Sequence, residues 1–208
     1  MMASTIAKTS LMAVAIATTS AVSLTLAAPA QAAGFTGDYA PSNFTLTNFN
    51  TDGVSGVDLT NAPNSITLVG SDIGGGNITN VFPFGFTLYS TTAAASGVVS
   101  FDWAYSTSDD AGANWDPFGV LLNGSFTQLT NNAFNQSGAF SFNVAQGDNF
   151  GFALVTLDNL NGRAYATISN FNAPTAIPTP ALLPGLIGMG IAAIRKRRTV
   201  AVEETTEV

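Results

Sequence analysis

The stretch "VVSFDWAYS" (98–106) places Val99, Phe101, Trp103 and Tyr105 on one side of an extended chain and Ser100, Asp102, Ala104 and Ser106 on the other. A period of two sustained over this length marks a β-strand with one buried face. The same alternation recurs on both sides of it. "VFPFGFTLYS" (81–90) aligns Phe82, Phe84, Phe86 and Leu88 as an expected buried face, and "PFGVLLNGSF" (117–126) aligns Phe118, Val120 and Leu122. "AFSFNVAQG" (139–147) offers Phe140, Phe142 and Val144, "NFGFALVTL" (149–157) offers Phe150, Phe152 and Leu154, and "RAYATISNF" (163–171) offers Ala164, Ala166 and Ile168. Aromatic and branched side chains at these positions suit a pleated, half-buried surface.

Turn-forming groups punctuate these runs: Asp52-Gly53, Gly74-Gly75-Gly76, Asn123-Gly124, Gly147-Asp148 and Asn161-Gly162. Asn-Gly and Asp-Gly supply the positive φ angles that tight hairpins require. No window carries apolar residues at helical spacing. The expected fold is therefore all-β, an antiparallel, jelly-roll-like β-sandwich over residues 33–173, and a body of that length can bury its own core without disulfides.

The 208 residues contain no cysteine and no histidine, and only 9% are charged. Thiolate chemistry, His-based dyads and zinc sites built on Cys or His are excluded together. Within the expected body, ten aspartates face the single Arg163, leaving a charge of −9. Phosphate binding needs clustered cations, so nucleic acid is excluded as a partner on charge. Anionic membrane surfaces are disfavoured for the same reason.

The two ends have a different character. Residues 1–32 combine Lys8, an apolar stretch from Leu11 to Ala28, and small residues at Ala30 and Ala32 around Gln31, the layout of a secretory signal peptide cleaved after Ala32. Residues 174–198 form a hydrophobic segment that closes on Arg195, Lys196, Arg197 and Arg198, with an acidic tail over 199–208. The uncharged run from Ala181 to Ile194 would reach about 21 Å as a helix, short of a hydrocarbon core of about 30 Å. Pro174, Pro178 and Pro180 resist its extension. The segment can engage a membrane in transit, with its cations on the cytoplasmic side.

"PTPALLPGLIGMGIAAIRKRR" (178–198) resembles the PEP-CTERM sorting domains, in the PTPA variant found among cyanobacteria. The resemblance rests on Pro178-Thr179-Pro180-Ala181, the glycine-spaced apolar run and the basic cluster. It implies export, recognition of Pro178–Ala181 by an exosortase-type membrane enzyme, and delivery to the cell surface or the exopolysaccharide matrix. The tail "TVAVEETTEV" departs from the pattern, which often ends at the arginines. The body is also similar to the extracellular β-sandwich domains that such signals commonly carry.

The densest polar site in the body is "STSDDAGANWDPFG" (106–119), with Asp109, Asp110, Asn114 and Asp116 on one loop. Oxygen ligands at this density suit calcium, although the spacing is not that of an EF-hand. The plainer reading is a solvated turn whose Asp and Asn cap their own backbone. Trp115, beside these acids, is a candidate for stacking on a sugar ring, whereas Trp103 is in phase with the core. No other cofactor is indicated.

Three functions follow. The leading one is a noncatalytic exported protein of the cell surface or exopolysaccharide matrix, attached to the membrane transiently or permanently. The alternative is a calcium-assisted polysaccharide-binding module using Asp109, Asp110, Asn114, Asp116 and Trp115. A glycoside hydrolase would need two carboxylates, Asp102 with Asp109, Asp110 or Asp116, in a body that contains no glutamate.

Overall fold

The computed structural model describes residues 30–74 and 84–176. Eleven strands lie among them: β1 (Ala30–Ala33), β2 (Thr45–Phe49), β3 (Gly56–Asp58), β4 (Ser65–Val69), β5 (Gly85–Thr92), β6 (Gly97–Thr107), β7 (Phe118–Leu122), β8 (Ser125–Gln128), β9 (Asn135–Val144), β10 (Asn149–Thr156) and β11 (Ala164–Thr175). All pairings are antiparallel. One sheet runs β3-β4-β11-β6-β9 with β1 also on β11, and the other runs β2-β5-β10-β7-β8. From β4 onward the chain crosses between the sheets at every connection except the β7–β8 hairpin, giving β4-β11-β6-β9 opposite β5-β10-β7-β8, the strand order of a jelly roll. The expected all-β sandwich is what the chain forms.

The core between the sheets is aromatic. Phe35 and Phe171 stack at 4.7 Å and 7°, and Phe152 meets both edge-on. Tyr39 is fully buried and donates its hydroxyl to the Pro174 carbonyl at 2.7 Å, so its one polar atom is satisfied. The expected inward faces of β6, β7, β9, β10 and β11 all point to this core.

β5 is the exception. Phe86 and Leu88 face outward, and the inward row is Gly85, Thr87, Tyr89 and Thr91. The hydroxyls of that row find backbone acceptors: Thr87 donates to Val69 O, Tyr89 to Pro41 O and Thr91 to Asn43 O. A Thr/Tyr face whose hydroxyls are all bonded costs little to bury. The larger apolar side chains are thus left on the outer surface of the sheet. Phe82, Gly75 and Gly76 lie outside the described residues.

β11 carries a bulge. Ile168 points inward and Ser169 outward, but Asn170 is also outward before Phe171 returns to the core. Asn170 takes the left-handed conformation, φ 49°, that the extra residue demands.

The strands run past both expected limits of the body, because Ala30 to Ala33 pair with Thr175 to Asn172. Ala30 and Ala32 of the expected cleavage site thus lie in β1, with Ala32 buried. Residues 1–29, the motif Pro178–Ala181, the cluster Arg195–Arg198 and the tail 199–208 lie outside the described residues. Among the described residues, no helix is long and apolar enough to cross a membrane.

Candidate functional site

The outer face of the second sheet is where the misassigned residues of β5 gather. Phe86 and Leu88 stand beside Val155 and Ala153 of β10, their register partners. On the other side of β10, Ala153 pairs with Gly119 of β7, and Leu121 of β7 pairs with Phe126 of β8. Small residues in the middle strands and large ones on the flanks make a groove. A Cβ at Gly119 would meet two ring carbons of Phe126 at 2.8 Å, so the glycine is what lets that ring lie down as a wall.

The groove encloses 440 Å³, within the range of small-ligand sites. Phe84, Phe86, Leu88, Leu121, Phe126, Val155 and Leu157 supply its apolar lining, and Asn114 and Gln128 its polar groups. No lining side chain is charged. Phe49 stacks on Phe86 at 5.6 Å and extends the aromatic surface, and it is 52% exposed.

The acidic loop forms one end of this groove through Asn114 and Pro117. Trp115 lies between them in sequence and is 43% exposed, as a sugar-stacking residue requires, but it is not among the residues that line the groove. The loop is tied to β10 by bonds from Leu157 N to Trp115 O and from Val155 N to Pro117 O.

Its four oxygen-bearing residues divide. Asp110 and Asn114 are exposed, while Asp109 and Asp116 are buried. The Thr107 hydroxyl bridges the buried pair, accepting from Asp109 N at 3.0 Å and donating to Asp116 Oδ2 at 3.1 Å. Asp109 Oδ1 caps Ala111 N, and Asp109 Oδ2 is buried without a hydrogen-bond partner. Burial pushes the Asp116 carboxyl up to about 7, assisted by the negative charge of Asp109 and Asp158 and opposed by the hydroxyls of Thr156 and Thr107. Burial likewise raises Asp109. Among the described residues, no three carboxylates converge on a point where a metal ion could be held.

Asp102 belongs to a different surface. It projects from the outer face of β6 in the opposite sheet and accepts from Asn170 Nδ2 at 2.7 Å. The carboxylates considered as an acid/base pair are therefore split between the acidic loop and the outer face of the opposite sheet.

The groove was hidden from sequence reasoning because β5 has apolar side chains on one face and Thr/Tyr on the other. The signal that could have found it is the small-residue row of Gly119, Gly151 and Ala153 in strands otherwise rich in Phe, Leu and Val.

No protein-family model matches the chain, and no curated protein does. Among solved structures, the chain is similar to a family 35 carbohydrate binding module from Clostridium thermocellum, at 14% identity over 67% of this chain and 97% of that one, TM-score 0.32. It is also similar to the N-terminal cellulose-binding domain of β-1,4-glucanase C from Cellulomonas fimi, at 8% identity over 64% and 90%, TM-score 0.34. A family 35 module from Cellvibrio japonicus follows at 13% identity over 64% and 100%, TM-score 0.28. At these identities and scores, none of the three carries an argument about what this chain binds.

Proposed function

We propose that this protein is a noncatalytic polysaccharide-binding module, exported through residues 1–32 and delivered to the cell surface or extracellular matrix through the sorting segment 174–198. The observation that carries the binding reading is the uncharged, aromatic-walled groove on the outer face of β2-β5-β10-β7-β8. A pyranose ring presents an apolar C–H face flanked by hydroxyls. Phe86 and Phe126 can cover such a face, with Asn114, Gln128 and water left to the hydroxyls. A groove without cations, in a body of charge −9, favours neutral chains over uronic-acid polymers.

The test is the melting temperature of the purified chain with soluble β-glucan, mannan and xylan, against alginate and polygalacturonate. Binding to the folded state raises it. At least one neutral polymer should do so and neither anionic polymer should, and Phe86→Ala or Phe126→Ala should lessen the rise. No shift with any neutral polymer would overturn the reading.

A further inference from the structure

We propose that the β11 bulge builds a second saccharide site, polar where the first is apolar, on the opposite face of the sandwich. The outer faces of β6, β9 and β11 enclose a cleft of 430 Å³ between Ser100, Asp102, Ala139, Ser141, Asn170 and Asn172. Three strands contribute through fixed register. Ser100 faces Ser141 and Asp102 faces Ala139 across β6 and β9, while Ser169 and Asn172 of β11 face Asp102 and Ser100.

The bulge is what makes this a site rather than a plain sheet surface. It turns Asn170 outward immediately after Ser169, so that its amide reaches over Asp102 and its backbone carbonyl accepts from Asn172 Nδ2 at 2.9 Å. Bulges re-aim side chains in this way beside functional sites. Asp102 is thereby held by a neutral donor at one oxygen. The other oxygen has no partner among the described residues, nor do the Ser100 and Ser141 hydroxyls.

The floor at Ala139 is open because nothing larger than a methyl group stands opposite the carboxylate. A carboxylate oxygen, two hydroxyls and two amides around a shallow cleft can satisfy a ligand dense in hydroxyl groups. Neighbouring hydroxyls of one sugar donate to Asp102, and the serines and amides act as either donor or acceptor. The single negative charge rejects phosphates and uronates. The ligand class is thus a neutral sugar unit, bound by its polar edge.

This site shares with the proposed function only the choice of a saccharide. The two clefts lie on outward faces of opposite sheets, so one chain can hold two polymers and join them.

Isothermal titration of the full chain with cellohexaose, mannohexaose and xylohexaose, one at a time, separates the cases. The expected result is two sites per chain for at least one of them. Asp102→Ala and Asn170→Gly should each remove one site or weaken it tenfold or more, with the other site unchanged. Glycine accepts the left-handed φ at 170, so that variant keeps the backbone while deleting the amide. One site lost in Asp102→Ala but retained in Phe126→Ala would support the polar site and overturn the apolar one. One site lost in Phe126→Ala and indifferent to both Asp102→Ala and Asn170→Gly would overturn the polar site alone. No binding of any hexaose would overturn both.

Discussion

Arg163 and Asp52, 111 residues apart in the chain, form an ion pair that ties the β10–β11 connection to the loop after β2. Both are largely buried, with side-chain exposures of 17% and 12%. Arg163 also donates to Gly70 O at 2.8 Å. Burial alone would raise the Asp52 carboxyl, but hydrogen bonds from Arg163, Ser55, Val54 N and Asp72 N outweigh it and hold it at about 2. Arg163→Ala leaves that carboxylate without its charge partner and should cost about 2 kcal/mol at pH 7, read by urea denaturation. Because the folded value lies below the unfolded one, the wild-type advantage should persist above pH 4 and fade as pH falls toward 2. An equal cost at pH 2 and pH 7 would show that the loss is packing, not charge.

Asp116 behaves in the opposite sense. Its folded value of about 7 lies above that of an unfolded aspartate, so its contribution is fully present below about pH 4 and is lost as pH rises through 7. Wild type should therefore lose on the order of 2–4 kcal/mol between pH 4 and pH 8 relative to Asp116→Asn, whose neutral amide does not titrate. Parallel stability curves for the two proteins over that window would refute the assignment.

Phe171 is fully buried, and its ring contacts Phe35, Tyr39, Phe44 and Phe152. Phe171→Ala should destabilise by about 3–5 kcal/mol, whereas Phe126→Ala, at a ring 40% exposed, should cost well under half of that. Thermal unfolding of both variants checks the contrast, which also separates groove residues from core residues.

Asp110 and Asn114 are exposed while Asp109 and Asp116 are buried, and among the described residues no three acidic side chains are grouped so as to hold a metal ion. Treatment with EDTA should leave the melting temperature unchanged. A fall of several degrees that calcium restores would establish a calcium site built on this loop.

Delivery through the sorting segment predicts an extracellular form beginning at Ala33 and ending within Pro178–Ala181. Intact mass of the protein recovered from membrane and matrix fractions checks this. A form confined to the membrane and retaining Val208 would withdraw the sorting role.

Alternation disclosed the faces of β6, β9 and β11 because in those strands one face is apolar and the other polar, and those of β7 and β10 because the larger side chains Phe118, Val120, Phe150, Phe152 and Leu154 fall on one face and Gly119, Gly151 and Ala153 on the other. It misjudged β5, where Phe86 and Leu88 outrank Thr87 and Thr91 in hydrophobicity but the threonine hydroxyls have backbone acceptors only inside. Which face is buried depends on those distant acceptors. β1, β2, β3, β4 and β8 are not among the expected strands: each is five residues or shorter and is held by pairing with a neighbour. The bulge was legible in outline: apolar residues at 168, 171 and 173 break the period of two by one position. The buried pair of Asp109 and Asp116 was seen only as a cluster, since adjacency in sequence does not tell which carboxylates turn inward.

β11 is the middle strand of its sheet, with β4 and β1 along one side and β6 along the other. It is also the last strand of the described residues, and Pro178–Ala181 follow it in the sequence. A domain tethered there and pulled by a bound polymer carries the load along the axis of β11. Ladder bonds of antiparallel strands lie across that axis, so those on both sides are sheared together and must fail together. An edge strand pulled the same way would be held by the ladder on one side alone. A load taken up by this middle strand is therefore resisted by the ladders on both sides, in a direction that equilibrium stability alone does not describe.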